Sequence, residues 1–198
     1  YVYALGKHIN SQFKTISTPF NKIGEDAFVS RHNNANKLII VVAGETARAD
    51  RFALNGYERA TNPLLSKQRV INFSQMYSCG TDTALSIPCM FSNLTREDYS
   101  HEIGKNTSNL LDILSYADIK VLWRDNNSSS KGVADRVEFE DFRSADRNMV
   151  CDIECRDEGM LYDLQDYIDN NKGKDIVVVL HTMGSHGPSY YRRYPKSF

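Results

Sequence analysis

Three short stretches of this chain carry residue types able to do chemistry, and they are spread over some 140 positions of its 198 residues. The first is Glu45, which follows the apolar run Leu38–Ile39–Ile40–Val41–Val42 and the small pair Ala43–Gly44. The second is a hydroxyl-rich turn between two cysteines, with Thr81, Thr83 and Ser86 lying between Cys79 and Cys89. The third is His181 followed by Gly184–Ser185–His186–Gly187, where glycines on both sides of His186 permit a tight backbone and an exposed ring. A neutral threonine is a poor nucleophile, so it needs a base or a metal to activate it. At the start of a helix it also faces free backbone N–H groups, which hold phosphate well. Glu45 and His186 do not make a serine-protease triad, but a carboxylate and an imidazole are suitable ligands for zinc. His181 continues an apolar run and reads as a hydrogen-bonded core histidine, so His186 is the one expected to work. Lys131, in a Ser/Asn-rich loop, is either a solvated cation or a contact for an anionic head group.

The elements that must position these groups follow from periodicity. Leu38–Val42 and Asp175–His181 are continuous apolar runs, the pattern of strands buried on both faces of a parallel sheet. Ile119–Trp123 is a further strand, Val70–Phe73 a shorter one, and Asn62–Pro63 opens a short helix at Leu64–Leu65. A helix from Ala84 is limited by Pro88. Thr107 or Ser108 caps a second helix with Leu110, Leu111, Leu114 and Ala117 on one face, and a third runs from Glu158 to about Asn170. Strands alternating with helices predict an α/β fold with a mostly parallel central sheet and helices on both faces. Working groups in such sheets lie beyond the carboxyl ends of the strands, which is where Glu45 and His186 fall. The loop Arg124–Gly132 follows a strand end as well.

Composition narrows the function classes. With 24 basic and 25 acidic residues the net charge is −1, and no basic tract points to nucleic acid. No stretch approaches the roughly 18 apolar residues that span a bilayer, and no signal-peptide pattern is present. The chain as given therefore reads as a soluble piece, which leaves open that it was cut from something larger. The cysteines form two close pairs, Cys79/Cys89 and Cys151/Cys155. Four cysteines allow three connectivities; local pairing is the simplest and would imply an oxidising compartment such as a periplasm. A zinc knuckle is the competing reading, and these spacings fit it poorly.

Taken together, Ala43-Gly44-Glu45-Thr46-Ala47-Arg48, Leu54-Asn55-Gly56-Tyr57, the cysteine-bracketed run from Cys79 to Phe91 and His181-Thr182-Met183-Gly184-Ser185-His186-Gly187-Pro188 resemble the phosphoethanolamine transferases of Gram-negative bacteria. That family includes lipid A modifying enzymes and the mobile colistin-resistance enzymes. The resemblance runs from about Lys37 onward and implies an alkaline phosphatase/sulfatase-like catalytic domain at the periplasmic face of the inner membrane. Residues 1–36 would be the connector from a membrane domain, and 37–198 the N-terminal part of the catalytic domain. It further implies that Thr83 is the nucleophile, taking phosphoethanolamine from phosphatidylethanolamine and passing it to a lipid A phosphate. Glu45 and Thr83 would be zinc ligands, His186 would contact the phosphoryl group or a second metal, and Asp125 and Lys131 would line the substrate site. The family's other zinc ligands lie downstream of its Ser-His-Gly-Pro motif, beyond Phe198. The alternatives are a phosphoglycerol transferase or another phosphotransferase of the same superfamily, or a non-catalytic disulfide-stapled domain that binds head groups. A sulfatase would need a formylglycine-forming Cys/Ser-x-Pro/Ala-x-Arg context, which neither Cys79 nor Cys89 supplies.

Overall fold

A computed structural model describes residues 19–30 and 35–194. Its centre is a four-stranded, all-parallel sheet built from β1 (Leu38–Ala43), β2 (Lys120–Asp125), β3 (Glu138–Asp141) and β4 (Ile176–His181), in the order β1-β4-β2-β3. Ala43 and Asp125 both pair with His181, and Asp125 pairs with Asp141, so all four strands end in one row. That register delivers the chain segments after Ala43, Asp125 and His181 to one end of the sheet.

The alternation of side chains about the sheet divides the core in two. Val121, Trp123 and Val179 face Ile87, Phe91 and Leu111 on one side. Leu122, Val178 and Leu180 face Phe142, Met160 and Leu164 on the other. The first face is covered by helices α1 (Thr83–Met90) and α3 (Leu110–Tyr116), with the short α2 (His101–Lys105) between them in sequence. The second is covered by a 3-10 turn at Asp157–Leu161 and by α4 (Leu164–Asn170). The expected parallel sheet with helices on both faces is therefore present.

Several local expectations are corrected. β1 forms, but Leu38, Ile39, Ile40 and Val42 are 45–62% exposed, because β4 alone pairs with it among the described residues and only Ala43, with part of Val41, reaches the core. Val70–Phe73 makes no strand; Ile71 and Phe73 are exposed and no described backbone pairs with them. The helix expected after Pro63 is one 3-10 turn at Leu65–Lys67. The cap of α3 is Asn109, in a reciprocal capping box with Asp112, while Ser108 accepts instead from the backbone N–H of Ile23.

The helix expected from Glu158 to Asn170 is broken at Tyr162–Asp163, and Arg124 supplies the reason. Its guanidinium is buried and Nη1 donates to the carbonyls of Met160 and Tyr162 at 2.7 and 2.6 Å, while Nη2 donates to Asp163 at 2.8 Å. Those carbonyls serve the arginine instead of a helical ladder. Arg124 also lies 2.7 Å from Glu140 through Nε, and its guanidinium and that of Arg147 stack on Phe142. The acidic β3, which has few β-favouring residues, is thus held by Arg124 and Arg147 on Glu140 and by Arg143 on Asp141.

Of the expected connector, residues 1–18 and 31–34 lie outside the described residues, as does His32 of the polar loop before β1. Residues 19–30 pack against the domain: Asn21 bridges to Thr107, and Arg136 stacks on Phe20 with its guanidinium 4.4 Å from the ring centre. Both disulfides take the local pairing, Cys79–Cys89 and Cys151–Cys155.

Candidate active site

Glu45 leaves β1 two residues past its end, and the helix opened by Thr83 comes up beside it. Asp82 caps α1 by accepting from the Leu85 N–H at 2.9 Å, so Thr83 is the first helical residue. The Cys79–Cys89 disulfide ties the turn before that helix to its last turn, and Ile87 and Phe91 bolt the helix to the sheet. Thr83 Oγ1 then donates to Glu45 Oε2 at 2.7 Å. Two residues 38 apart in sequence meet because one strand end and one helix start share the same sheet edge.

Glu45 is gripped from several sides. Its Oε1 accepts from the Thr46 hydroxyl at 2.8 Å, and its Oε2 accepts a longer bond of 3.3 Å from Asn127 Nδ2. Partial burial pushes its carboxyl up, but the hydrogen bonds from Thr83, Thr46 and Asn127, with the nearby His186 charge, outweigh it and leave Glu45 below the ordinary glutamate value of 4.5. Glu45 is therefore ionised at neutral pH and acts as acceptor for the threonine. Two open clefts of about 380 and 550 Å³ meet at Gly44–Arg48. The smaller is lined by Thr81, Thr83 and Ser86, the larger by Arg48, Arg51, Phe52 and Tyr190.

His186 lies on the loop after β4, folded over the backbone of Glu45. The Ser185 N–H donates to the Glu45 carbonyl at 3.1 Å. Gly184 has φ of +50°, and a Cβ there would stand 2.7 Å from the same carbonyl, so only glycine fits this approach. The imidazole is exposed and its Nδ1 sits 2.7 Å from the Gly187 carbonyl; it is near enough to Glu45 to affect its charge but bonds to neither Glu45 nor Thr83.

Asp125 does not reach the surface of the site. It is fully buried, with Oδ2 accepting from Trp123 Nε1 at 2.9 Å and 2.9 Å from His181 Nδ1, while Oδ1 accepts from the Asn127 N–H at 3.0 Å. It supports the residue that touches Glu45. Lys131 connects to the same residue by a relay: its Nζ donates to Ser128 Oγ at 2.6 Å, which donates to Asn127 Oδ1 at 3.0 Å. His181 is buried as expected, stacked edge-on to Trp123 at 5.3 Å.

Sequence reasoning missed Asn127. It is 4% exposed and bonds Glu45, the Thr182 carbonyl at 2.9 Å, Ser128 and Asp125 at once. The available signal was its place just past a strand end, in a loop whose composition reads as a linker. Asp157 was missed too; it holds the His186 loop from behind.

An all-parallel α/β sheet with a hydroxyl at a helix N-terminus beside an ionised carboxylate at a strand end is the arrangement expected of the alkaline phosphatase/sulfatase class. A model of the family described as "Sulfatase" matches residues 37–198, and the chain belongs to that family. It is 44% identical over 209 residues to phosphatidylethanolamine transferase Mcr-1 of Escherichia coli, covering 100% of this chain and 39% of that protein. It is 46% identical to phosphoethanolamine transferase EptA of Salmonella typhimurium over 95% of this chain and 35% of that one. The soluble domain of lipooligosaccharide phosphoethanolamine transferase A from Neisseria meningitidis superposes with a TM-score of 0.85 at 40% identity, over 91% of this chain and 55% of that one. The chain thus spans well under half the length of these curated relatives.

Proposed function

We propose that residues 37–198 are the N-terminal part of the periplasmic catalytic domain of a phosphoethanolamine transferase, with residues 1–36 leading from a membrane domain. The donor is phosphatidylethanolamine and the acceptor a lipid A phosphate. The observation that carries this reading is the 2.7 Å hydrogen bond from Thr83 Oγ1 to an ionised Glu45 at the N-terminus of a disulfide-tied helix. The sequence likeness to a phosphatidylethanolamine transferase and a phosphoethanolamine transferase supports it.

In the first step the Thr83 oxygen attacks phosphorus, an O–P bond forms, and the bond to the diacylglycerol oxygen breaks. The Thr83 proton passes to Glu45, which already accepts it at 2.7 Å, and the departing diacylglycerol oxygen takes up that proton. Phosphoethanolamine is left as an ester on Thr83. In the second step an acceptor phosphate oxygen attacks the same phosphorus, the new O–P bond forms as the Thr83 O–P bond breaks, and the proton of the acceptor's phosphate O–H returns to the Thr83 oxygen by way of Glu45. Free N–H groups in the first turn of α1 face the charge that develops on the phosphoryl oxygens. His186 contacts that group from the opposite loop, while Lys131 lines neither cleft and bears on the site through Ser128 and Asn127.

The cofactor in this reading is zinc. Glu45 and Thr83 offer two adjacent oxygen donors, one of them ionised, which suits one edge of a zinc site. Among the described residues no group of three or more His, Cys, Asp or Glu gathers to complete one; in this reading the further ligands come from outside them. Bound there, zinc lowers the pKa of the threonine hydroxyl. Thr83→Ala in the full-length protein abolishes the phosphoethanolamine mass gain on lipid A, read by mass spectrometry. An undiminished gain would refute the assignment.

A further inference from the structure

The loop that presents His186 is clamped by a side chain from the far side of the sheet. Asp157 opens the 3-10 turn after the Cys151–Cys155 disulfide. Its Oδ1 accepts from the Met183 N–H at 2.7 Å and its Oδ2 from the Gly184 N–H at 2.8 Å. One carboxylate thus takes two consecutive backbone donors, and such charge-assisted bonds are among the stronger and more directional ones. Asn126 fixes the clamp in turn, with Nδ2 donating to Asp157 Oδ1 at 2.9 Å and to the Cys155 carbonyl at 3.0 Å.

The other side of the loop leans on the site. Ser185 N–H binds the Glu45 carbonyl, and the turn closes with the His186 N–H on the Met183 carbonyl at 3.1 Å. Among the described residues the imidazole has no side-chain hydrogen-bond partner, and its Nδ1 sits against the Gly187 carbonyl. Its position is therefore set by the backbone of 183–186, and that backbone is pinned between Glu45 and Asp157. A carboxylate that lines neither cleft and is taken up by two main-chain N–H groups and the Asn126 amide is suited to this task and not to binding substrate.

We propose that Asp157 is a positioning residue for the transfer reaction, acting through His186. This rests on the role given to His186 under the proposed function. The test uses the full-length protein and hydrolysis of a fluorescent phosphatidylethanolamine, with a double-mutant cycle of Asp157→Ala and His186→Ala. Misplacing a group by about 1 Å can cost on the order of 100-fold, so Asp157→Ala is expected to lower kcat/KM by about 10- to 100-fold. In the His186→Ala background the same change is expected to cost less than about 2-fold, since residues acting as a unit are not additive. Equal losses in both backgrounds make Asp157 a structural residue and overturn the proposal. A His186→Ala protein as active as its parent removes the role of His186 and this inference with it, while Thr83→Ala still tests the transferase reading on its own.

Amide exchange gives a second readout, independent of turnover. Asp157→Ala, or the isosteric Asp157→Asn if the alanine variant does not fold, should speed exchange at residues 183–186 while Ile176–His181 stay protected. Unchanged exchange in that loop overturns the clamp.

Discussion

Replacing Asn127 by aspartate changes one NH2 to an oxygen and nothing in shape, so its effect isolates the electrostatics of the site. In the parent, Nδ2 donates to Glu45 Oε2 at 3.3 Å and to the Thr182 carbonyl at 2.9 Å. An ionised carboxylate there meets a second one at the same 3.3 Å. At an effective dielectric of about 20 that repulsion is about 5 kcal/mol. Glu45 is partly open to solvent, so about 3 kcal/mol is the expected cost at neutral pH. The introduced carboxyl escapes part of the repulsion by holding its proton, and 3 kcal/mol corresponds to a rise of about two pKa units above its unfolded value near 4. Because its folded pKa is raised, the penalty is absent below about pH 4, grows to about pH 6 and is constant above. The Thr83 and Thr46 hydrogen bonds, which the substitution leaves in place, still favour the ionised form of Glu45. Asn127→Ala loses about 1–3 kcal/mol by leaving partners unpaired, and that loss is flat between pH 5 and 8. Urea unfolding of the metal-free protein at pH 4.5 and 7.5 separates the two variants. The reasoning fails if Asn127→Asp costs the same at both pH values, or no more than Asn127→Ala at pH 7.5.

Two other outcomes follow from the same geometry. Glu45→Gln in the full-length protein should lose, on dialysis against a chelator, zinc that the parent retains; even changes one shell out from a metal weaken binding about 10- to 100-fold, and a direct ligand at least as much. Zinc retention equal to the parent's removes Glu45 from the metal site. Arg124→Leu should cost about 3–5 kcal/mol of stability, because it leaves Glu140, Asp163 and two carbonyls without their buried partner. A urea midpoint within error of the parent's would show that the arginine cluster does not hold β3.

The fold was legible where periodicity alone decides. β1, β2, β4 and the helices at Thr83 and Leu110 are local statements about apolar spacing and caps. Three elements were not local. β3 is a strand whose sequence, Glu138-Phe139-Glu140-Asp141, has little strand preference; arginines from other segments make it one. The break at Tyr162–Asp163 is caused by a guanidinium some 36 residues earlier in the chain. Val70–Phe73 has strand preference and no described neighbour, and a strand without a neighbour leaves its N–H and C=O groups unpaired. In each case residue preference and tertiary partner disagree, and the partner wins.

The site divides in the same way. Glu45, Thr83 and His186 stood out in the sequence because each stands at an element end with a chemical reason to be there. Asn127, Asp125 and Asp157 were not readable as what they are, since a buried amide or carboxylate has no sequence signature apart from its partners. Yet these set the first group's behaviour. Asp125 holds the Asn127 backbone, Asn127 and Thr83 keep Glu45 ionised, and Asp157 pins the loop that carries His186. The row in which Ala43, Asp125, His181 and Asp141 end is what makes this possible, since side chains from loops far apart in sequence come within hydrogen-bond reach only if the strands feeding them stop together. A shift of one residue between β1 and β4 would turn the side chains of β1 to the opposite faces and carry Glu45 about 3.3 Å along the strand, more than the length of its 2.7 Å bond to Thr83. The strand register is therefore as much a part of the candidate site as the threonine.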